Sequence, residues 1–494
     1  MAIISVNNLT FAYDGSYENI FENVNFQIDT DWKLGFVGRN GRGKTTFLNL
    51  LLKKYDYKGN ISSSVDFDYF PFHVDDKSVD TETVVQNICP ECETWMIFKE
   101  LSLLKVDENI LYRPFDTLSN GEQTKVLLAA LFLNQNHFLL LDEPTNHLDS
   151  DSRDIISDYL KGKKGFILVS HDRVLLDDCV DHILSINKAD IEIQKGNFSS
   201  WQQNKKMQDE FELAQNDKLK KDIKRLAESS KRTSGWSDSV EKTKYATKNS
   251  GLKPDRGFIG HKAAKMMKTS KNIDKRRQQA MDEKSGLLKN LEISDNLKIF
   301  PVKHHSDRLI NFTDVTLGYD DHNVCENVNF TVFSGDRVAI KGKNGSGKTS
   351  ILKLILGQGE NINFSGNIQI ASGLKISYVS QDTSFLRGSL DDFIRESSID
   401  ESLFKTILRK LDFSREQFER NLEDFSEGQK KKTLIAKSLS ERSHIYIWDE
   451  PLNFIDVLSR IQIEELLLKS DLTLIFVEHD KIFSEKIATK TVEI

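Results

Sequence analysis

A phosphate-binding loop occurs twice in this chain, each time between a short apolar run and a helical pattern, and that context constrains the fold more than any other feature. Gly38-Arg39-Asn40-Gly41-Arg42-Gly43-Lys44-Thr45 and Gly342-Lys343-Asn344-Gly345-Ser346-Gly347-Lys348-Thr349 both fit G-x-x-x-x-G-K-[ST]. The glycines let backbone N–H groups curl around phosphate oxygens with no Cβ in the way. The lysine neutralises β/γ-phosphates and the threonine hydroxyl reaches Mg²⁺. Leu34 to Val37 and Val338 to Ile340 read as the preceding strands, and Phe47 to Leu52 and Ile351 to Leu356 as the following helices, whose N-termini point at the anion. One such match could be a glycine-rich turn; two in the same context argue for duplicated nucleotide-binding domains of the α/β class.

Downstream of each loop the same further features recur in the same order. Phe138-Leu139-Leu140-Leu141-Asp142-Glu143 and Ile445-Tyr446-Ile447-Trp448-Asp449-Glu450 are buried-strand patterns ending in two carboxylates. The aspartate suits Mg²⁺ and the adjacent glutamate suits polarising an attacking water. Ahead of each strand, Leu118-Ser119-Asn120-Gly121-Glu122-Gln123 and Phe425-Ser426-Glu427-Gly428-Gln429 open amphipathic helices, offering a hydroxyl, a glycine N–H and a positive helix end to a second anion. Ser170-His171-Asp172 and Glu478-His479-Asp480 follow the glutamates by 28 and 29 residues. Each histidine is placed to orient a γ-phosphate or water.

The ordered series resembles the nucleotide-binding domains of the ABC superfamily, with Walker A, signature, Walker B with glutamate, D-loop and switch histidine in both halves. The resemblance implies head-to-tail pairing within one chain, each ATP lying between one domain's Walker A and the other's signature. Site one would then use Gly38 to Thr46, Asp142, Glu143 and His171, completed by Ser426 and Gly428. Site two would use Gly342 to Ser350, Asp449, Glu450 and His479, completed by Ser119 and Gly121. Glu143, Glu450, His171 and His479 would be catalytic; Thr45, Asp142, Thr349, Gln381 and Asp449 would hold Mg²⁺; Tyr13 and Tyr319 would stack on adenine.

The halves are not identical. Gln381, in Ile376-Ser377-Tyr378-Val379-Ser380-Gln381, matches the family's Q-loop glutamine, whereas the run from Val65 to His73 contains none and places Phe72 there. Phenylalanine cannot ligate a metal, so site one is expected to bind Mg²⁺ less well unless His73 or water substitutes. The second D-loop region also departs, reading Glu450-Pro451-Leu452-Asn453-Phe454-Ile455-Asp456.

Charge singles out the middle of the chain. Residues 201–290 carry 23 Lys/Arg and 12 Asp/Glu, while the rest of this acidic protein has a net charge of −18. Apolar positions such as Met207, Phe211, Leu219, Ile223 and Leu226 recur at helical spacing, as do Ala263, Met267, Leu287 and Leu291. The pattern predicts a long antiparallel α-helical hairpin; ~30 residues at 1.5 Å each reach ~45 Å. Its tip, about residues 234–260, offers Lys242, Lys244, Tyr245 and Phe258, a mixture suited to phosphate neutralisation and base stacking. The domains expected are therefore residues 1–200, the linker 201–300, and residues 301–494.

The longest apolar run, Val126 to Leu133, falls far short of the ~18 residues that span a bilayer, and no signal segment opens the chain. A cytoplasmic protein without membrane contact is expected. Of the four cysteines only Cys89 and Cys92 stand at metal or redox spacing, and neither role is expected.

Two cassettes joined by a basic linker resemble the ABC-F proteins, which act on the ribosome rather than in transport; Gly196-Asn197-Phe198-Ser199-Ser200-Trp201 is similar to that subfamily's lead into its linker. The short span from Phe72 to Leu118 leaves little room for the arm insertion of housekeeping members, and no C-terminal extension is expected. Trp32-Lys33-Leu34-Gly35, Tyr112-Arg113-Pro114-Phe115 and Ile447-Trp448-Asp449-Glu450-Pro451-Leu452-Asn453 are similar to the Lsa type of antibiotic-resistance ABC-F proteins. That resemblance implies a monomeric ATPase that enters the tRNA exit site, contacts large-subunit rRNA and P-site tRNA, and displaces lincosamide, pleuromutilin or streptogramin A drugs. A housekeeping translation factor, the ATPase subunit of a membrane exporter and a DNA-directed ABC ATPase are the alternatives; the long basic linker argues against the exporter, and its place between the cassettes instead of inside one argues against the DNA-directed type.

Overall fold

The structure, a computed structural model, describes residues 2–242 and 299–494 apart from 14, 16–18, 146, 147, 149, 188, 189, 320, 321, 344 and 360, together with seven positions between 261 and 276. Two units emerge, Met1–Trp201 with Ser294–Ile494, and Gln202–Ile293.

In the first half of the larger unit, strands β1 (Ile3–Phe11), β2 (Phe21–Asp29) and β4 (Lys58–Ser62) form an antiparallel sheet in the order β2-β1-β4. A six-stranded sheet runs β5 (Asp66–Phe70), β6 (His137–Asp142), β7 (Phe166–Val169), β3 (Lys33–Val37), β8 (His182–Asn187) and β9 (Asp190–Lys195), parallel except for β9. The helices are α1 (Lys44–Leu51), α2 (Thr81–Ile88), α3 (Thr94–Leu103), α4 (Asn120–Leu131), α5 (Ser150–Lys161) and α6 (Arg173–Cys179). Leu139 to Leu141 and Phe166 to Val169 are buried because apolar clusters cover both sheet faces, which is why these strands read as unbroken apolar runs.

The second half repeats the plan. Strands β10 (Arg308–Tyr319), β11 (His322–Phe333) and β13 (Asn363–Ile370) form the antiparallel sheet. The parallel sheet runs β14 (Ile376–Val379), β15 (Ile445–Asp449), β16 (Leu474–Val477), β12 (Arg337–Lys341) and β17 (Lys490–Glu493). Its helices are α8 (Lys348–Ile355), α9 (Leu390–Glu396), α10 (Glu401–Lys410), α11 (Glu427–Ser440), α12 (Val457–Lys469) and α13 (Lys481–Ile487), numbered here after α7 (Phe198–Lys242). In both halves the P-loop joins the central strand, β3 or β12, to a helix, so that phosphate meets the carboxyl ends of the strands where crossover connections leave a crevice.

Local chemistry fixes the turns that matter. Gly43 and Gly347 open α1 and α8 at φ 95° and 91°, and a Cβ on Gly43 would meet Ile20 at 2.5 Å, so a side chain is excluded on both counts. Ser119 and Ser426 cap α4 and α11 through capping boxes with Glu122 and Gln429. The two signature serines thus first satisfy their own helix ends.

Between the cassettes, α7 starts inside the first half, where Phe198 and Trp201 are buried. Further along, Met207 and Phe211 lie exposed. Helical backbone recurs at His261, Lys265, Lys268, Lys271, Asn272, Lys275 and Arg276, all exposed. Of the expected tip residues, Lys244, Tyr245 and Phe258 lie outside the described residues, as does the side chain of Lys242, the last residue of α7. Among the described residues no helix is long and apolar enough to cross a membrane. Cys89 and Cys92 are joined by a disulfide at the end of α2, so the pair at redox spacing is a bridge rather than two separate thiols; Cys179 and Cys325 are buried and free.

Candidate functional site

Both P-loops close on their own lysines. Lys44 Nζ donates to the carbonyls of Gly38 (2.7 Å) and Arg39 (3.3 Å) and to Asn40 Oδ1 (3.4 Å); Lys348 Nζ donates to the carbonyls of Gly342 (2.9 Å) and Lys343 (2.7 Å). Each ammonium therefore sits in the centre of the loop where β/γ-phosphates belong, with a lowered pKa because burial disfavours its charge. The Tyr13 and Tyr319 hydroxyls bond Thr46 and Ser350 at 2.8 Å each, which tethers both residues to the loops while leaving them about two-fifths exposed. Asn344 lies outside the described residues.

The two glutamate–histidine pairs share a strained backbone. Glu143 and Glu450 adopt left-handed φ values of 52° and 46°, a conformation unfavourable for a side chain with a Cβ, held by hydrogen bonds from their N–H groups to Val169 O (2.9 Å) and Val477 O (3.0 Å). Each glutamate faces its histidine: His171 Nε2 stands 3.3 Å from Glu143 Oε1, and His479 Nε2 stands 3.4 Å from Glu450 Oε1.

Their electrostatics differ. Burial, reinforced by Asp142, raises the Glu143 pKa to about 8 despite Lys44 and Arg460. Burial also pushes Glu450 upwards, but His479, Lys431 and Asn453 outweigh it and hold its pKa below the usual value. Gln381 Nε2 and Asn453 Nδ2 both donate to Glu450 Oε2, at 2.9 and 2.6 Å. The buried Lys431 donates to the carbonyls of Ser380 (2.9 Å) and Glu450 (3.1 Å), tying the Q-loop to the Walker B end. The Glu143 side chain has His171 as its hydrogen-bonding neighbour, through the backbone N–H at 3.3 Å. His171 itself is held neutral, first by burial and then by Lys44 and Arg460.

The aspartates differ as well. Asp142 Oδ2 accepts from Thr45 Oγ1 at 2.9 Å and from the Tyr69 hydroxyl at 3.0 Å. Asp449 is fully buried and neither oxygen has a hydrogen-bond partner; Thr349 stands close enough to favour the charged form without a bond of ordinary geometry. Burial, with the Glu450 charge adding to it, raises the Asp449 pKa against the opposing pull of Thr349, Lys431 and Lys348. An orphaned buried carboxylate beside a threonine hydroxyl fits a divalent cation, which would be held by Thr349 and Asp449 and would supply charge neutralisation for the phosphates. Gln381, expected as a ligand, is bonded to Glu450. His73, its possible substitute in site one, is exposed beside Asp75 at 3.6 Å.

Strand register settles where Phe72 falls. Tyr69 pairs with Leu140 and Tyr378 with Ile447, each partner two residues before its Walker B aspartate. Phe72 and Gln381, three residues further on, are therefore equivalent positions, and Phe72 is partly exposed.

Across the cassettes, the Asn40 side chain donates to the Phe454 carbonyl at 2.7 Å, and Arg42 Nη2 donates to Asp412 Oδ1 at 3.1 Å. Gly428 lies so close that a Cβ there would meet Asn40 Nδ2 at 2.8 Å. The second signature thus sits on the first P-loop, as head-to-tail pairing demands. Site two instead borders a cavity of about 730 Å³ lined by Tyr319, Gly345, Lys348, Lys431 and Glu450, with Leu148 and Arg153 from the first half. Ser119 and Gly121, expected to complete this site, do not line that cavity; among the described residues, a Cβ on Gly121 would have Leu148 and Ser152 of its own half as neighbours.

Tyr69 and Lys431 were not signalled by any motif, and Asn453 and Phe454 were marked only as part of the departing D-loop run, with no role. Tyr69 alternates correctly along a half-buried strand, and Lys431 and Asn453 flank motif residues, but nothing local specifies their partners.

The family model described as ABC transporter matches residues 21–146 and 325–453. The ribosome protection protein VmlR of Bacillus subtilis is 28% identical over 488 residues, covering 98% of this chain and 85% of that protein. The erythromycin resistance ATP-binding protein MsrA of Staphylococcus epidermidis is 29% identical, covering 94% and 92%. Among solved structures, the archaeal ribosome recycling factor aABCE1, in complex with ribosomal stalk protein aP1, superposes with a TM-score of 0.62 at 18% identity over 98% of this chain and 87% of that one, a likeness of fold. With two P-loops, two carboxylate pairs and the second signature seated on the first P-loop, the chain belongs to the ABC family of ATPases, with both cassettes in one polypeptide.

Proposed function

We propose that this chain protects the ribosome from antibiotics, as a cytoplasmic monomer that binds when ATP closes the cassettes on each other and leaves after hydrolysis. The observation that carries this reading is the likeness to a named ribosome protection protein, which runs through 98% of the chain and so takes in the basic segment between the cassettes. ATP with Mg²⁺ is the ligand of both sites. Closure fixes the direction in which α7 leaves the first cassette, which makes nucleotide state a switch for the linker. Glu143 and Glu450, with His171 and His479, time the departure. By its resemblance to the Lsa type, the linker, including Lys242, Lys244, Tyr245 and Phe258, reaches from the tRNA exit site towards the peptidyl-transferase region, contacting large-subunit rRNA and P-site tRNA. Lincosamides, pleuromutilins and streptogramin A compounds are the drugs displaced.

Purified translation, free of membranes, tests this reading. Adding the protein with ATP is expected to restore synthesis blocked by a lincosamide, a pleuromutilin or a streptogramin A compound, and erythromycin belongs in the panel because a relative is named for it. No rescue by any drug class at saturating protein would overturn ribosome protection and leave a housekeeping role. Drug tolerance in cells without rescue in the purified system would point to export.

A further inference from the structure

The two switch histidines are joined across the cassettes by one buried guanidinium. Arg173 opens α6 two residues after His171, yet its side chain ends in the second half, only 3% exposed. There Nη2 donates to Asp480 Oδ1 at 3.3 Å and Oδ2 at 3.2 Å and forms an ion pair with Glu464. Asp480 directly follows His479 and also accepts from Arg460 Nη1 at 3.2 Å. Arg460 in turn donates to the D-loop carbonyls of Ile455 and Leu452, at 2.9 Å each. Glu143 and Glu450 are thus connected through His171, Arg173, Asp480 and His479 by covalent neighbours and single polar contacts.

The pseudo-equivalent connection is of a different kind. Arg153 holds the Leu148 carbonyl at 3.0 Å and approaches Asp172 at 4.0 Å, as Arg460 does in its own half. Lys481, which stands where Arg173 does, reaches across only to Asp154, and both side chains are about half exposed. Water screens that pair and replaces it readily. Arg173 is buried and bonded to both Asp480 oxygens, so its departure would leave Asp480 with Arg460 alone and Glu464 with the more distant Lys486, at 3.7 Å. A movement of the His171 loop is therefore felt at Asp480.

We propose that Arg173 is a positioning residue that couples the two nucleotide sites, so that the state of His171 at site one sets the placement of His479 at site two. The proposal rests on the assignment of Glu143 and Glu450 to separate sites. The Arg173 side chain is bonded to Asp480 and Glu464, outside both P-loops, so its role is read in how one site responds to the other.

The test is a double-mutant cycle on the full chain, reading ATP turnover. Glu143→Gln is introduced with Arg173 intact and in an Arg173→Met background, and kcat and KM of the remaining Glu450 site are measured. With Arg173 intact, Glu143→Gln is expected to change kcat at least fivefold beyond the loss of one site; in Arg173→Met the change should fall below twofold. The exposed pair serves as comparison, and Lys481→Met should retain the full response. Equal factors with and without Arg173 would overturn the coupling. Unchanged turnover in both Glu143→Gln and Glu450→Gln would overturn the assignment of the sites and the proposal with it. Should Arg173→Met fail to fold, Arg173→Lys, which keeps the charge but loses the planar fork, is read by the same two outcomes.

Discussion

The Tyr69 hydroxyl donates to Asp142 Oδ2 at 3.0 Å, and the equivalent Asp449 has neither oxygen hydrogen-bonded. In site one a tyrosine, together with Thr45, competes with a cation for the lone pairs of Asp142 Oδ2. Tyr69→Phe removes a hydrogen bond to a charged group, worth about 1.5–3 kcal/mol when replaced by nothing, part of which a bound cation recovers. Mg²⁺-dependent ATP affinity at site one is expected to tighten by about threefold to tenfold, with affinity at site two unchanged. Fluorescent-nucleotide titration with and without Mg²⁺, in the Lys348→Ala background that leaves only site one, measures it. Weaker Mg²⁺ dependence in Tyr69→Phe would show that the hydroxyl supports the metal instead of competing with it.

The two glutamates should give the sites different pH profiles. Glu143 has a pKa raised to about 8, chiefly by burial, so below that pH it holds a proton and cannot accept one from water. Glu450 is held below its ordinary value and stays ionised. Turnover by Glu450→Gln, in which only site one works, is expected to climb as pH passes through about 8, whereas Glu143→Gln should show no such rise. The sign carries over to stability. A carboxyl whose folded pKa exceeds its unfolded value near 4.5 stabilises fully below 4.5 and loses that contribution as pH rises towards 8. Thermal unfolding of the nucleotide-free protein across this window should decline less steeply in Glu143→Gln.

The signature glycines should also respond unequally. A Cβ at Gly428 would meet the Phe454 carbonyl at 2.5 Å and Asn40 Nδ2 at 2.8 Å, while at Gly121 the nearest atoms stand 3.6 and 3.7 Å away. Overpacking of this sort costs roughly 1–3 kcal/mol. Gly428→Ala is therefore expected to weaken ATP-driven closure at site one by about tenfold, and Gly121→Ala far less. A fluorophore pair across the cassettes reads closure directly; equal losses in the two variants would mean that the asymmetry does not persist with nucleotide bound.

What was legible in the sequence is what phosphate chemistry keeps local. Gly43 and Lys44 identify a loop because the anion is grasped by consecutive N–H groups, and Asp142 with Glu143 ends an apolar run because the strand is covered on both faces. Even the Phe72 position could be read, since a parallel ladder carries register from Asp142 back to Tyr69. The Tyr69–Asp142 bond could not, because its partners lie 73 residues apart. Asn40 with Phe454 and Arg173 with Asp480, at separations of 414 and 307, depend on how the cassettes meet, and the residue types alone specify no partner. The buried Lys431 reads in sequence as one more basic residue beside Lys430 and Lys432; only the fold shows its ammonium between Ser380 and Glu450.

Blocking both glutamates isolates the role of hydrolysis. Gln cannot accept a proton, yet it keeps the size of glutamate and can still accept from His171 or His479, so Glu143→Gln/Glu450→Gln should bind ATP, close, and stay closed. If hydrolysis times release, the double variant accumulates on ribosomes in the presence of ATP, by at least tenfold over the unaltered chain in a sedimentation assay, and inhibits translation when in excess. Because Glu450 is the ionised, triply supported carboxylate and Glu143 is protonated near neutral pH, the single variants should not be equivalent: Glu450→Gln is expected to trap most of the protein at pH 7, and Glu143→Gln to trap little. Equal ribosome occupancy with and without ATP would remove nucleotide from control of binding. Equal trapping by the two single variants would instead place the timing step in both sites, with the difference in their electrostatics erased once ATP is bound.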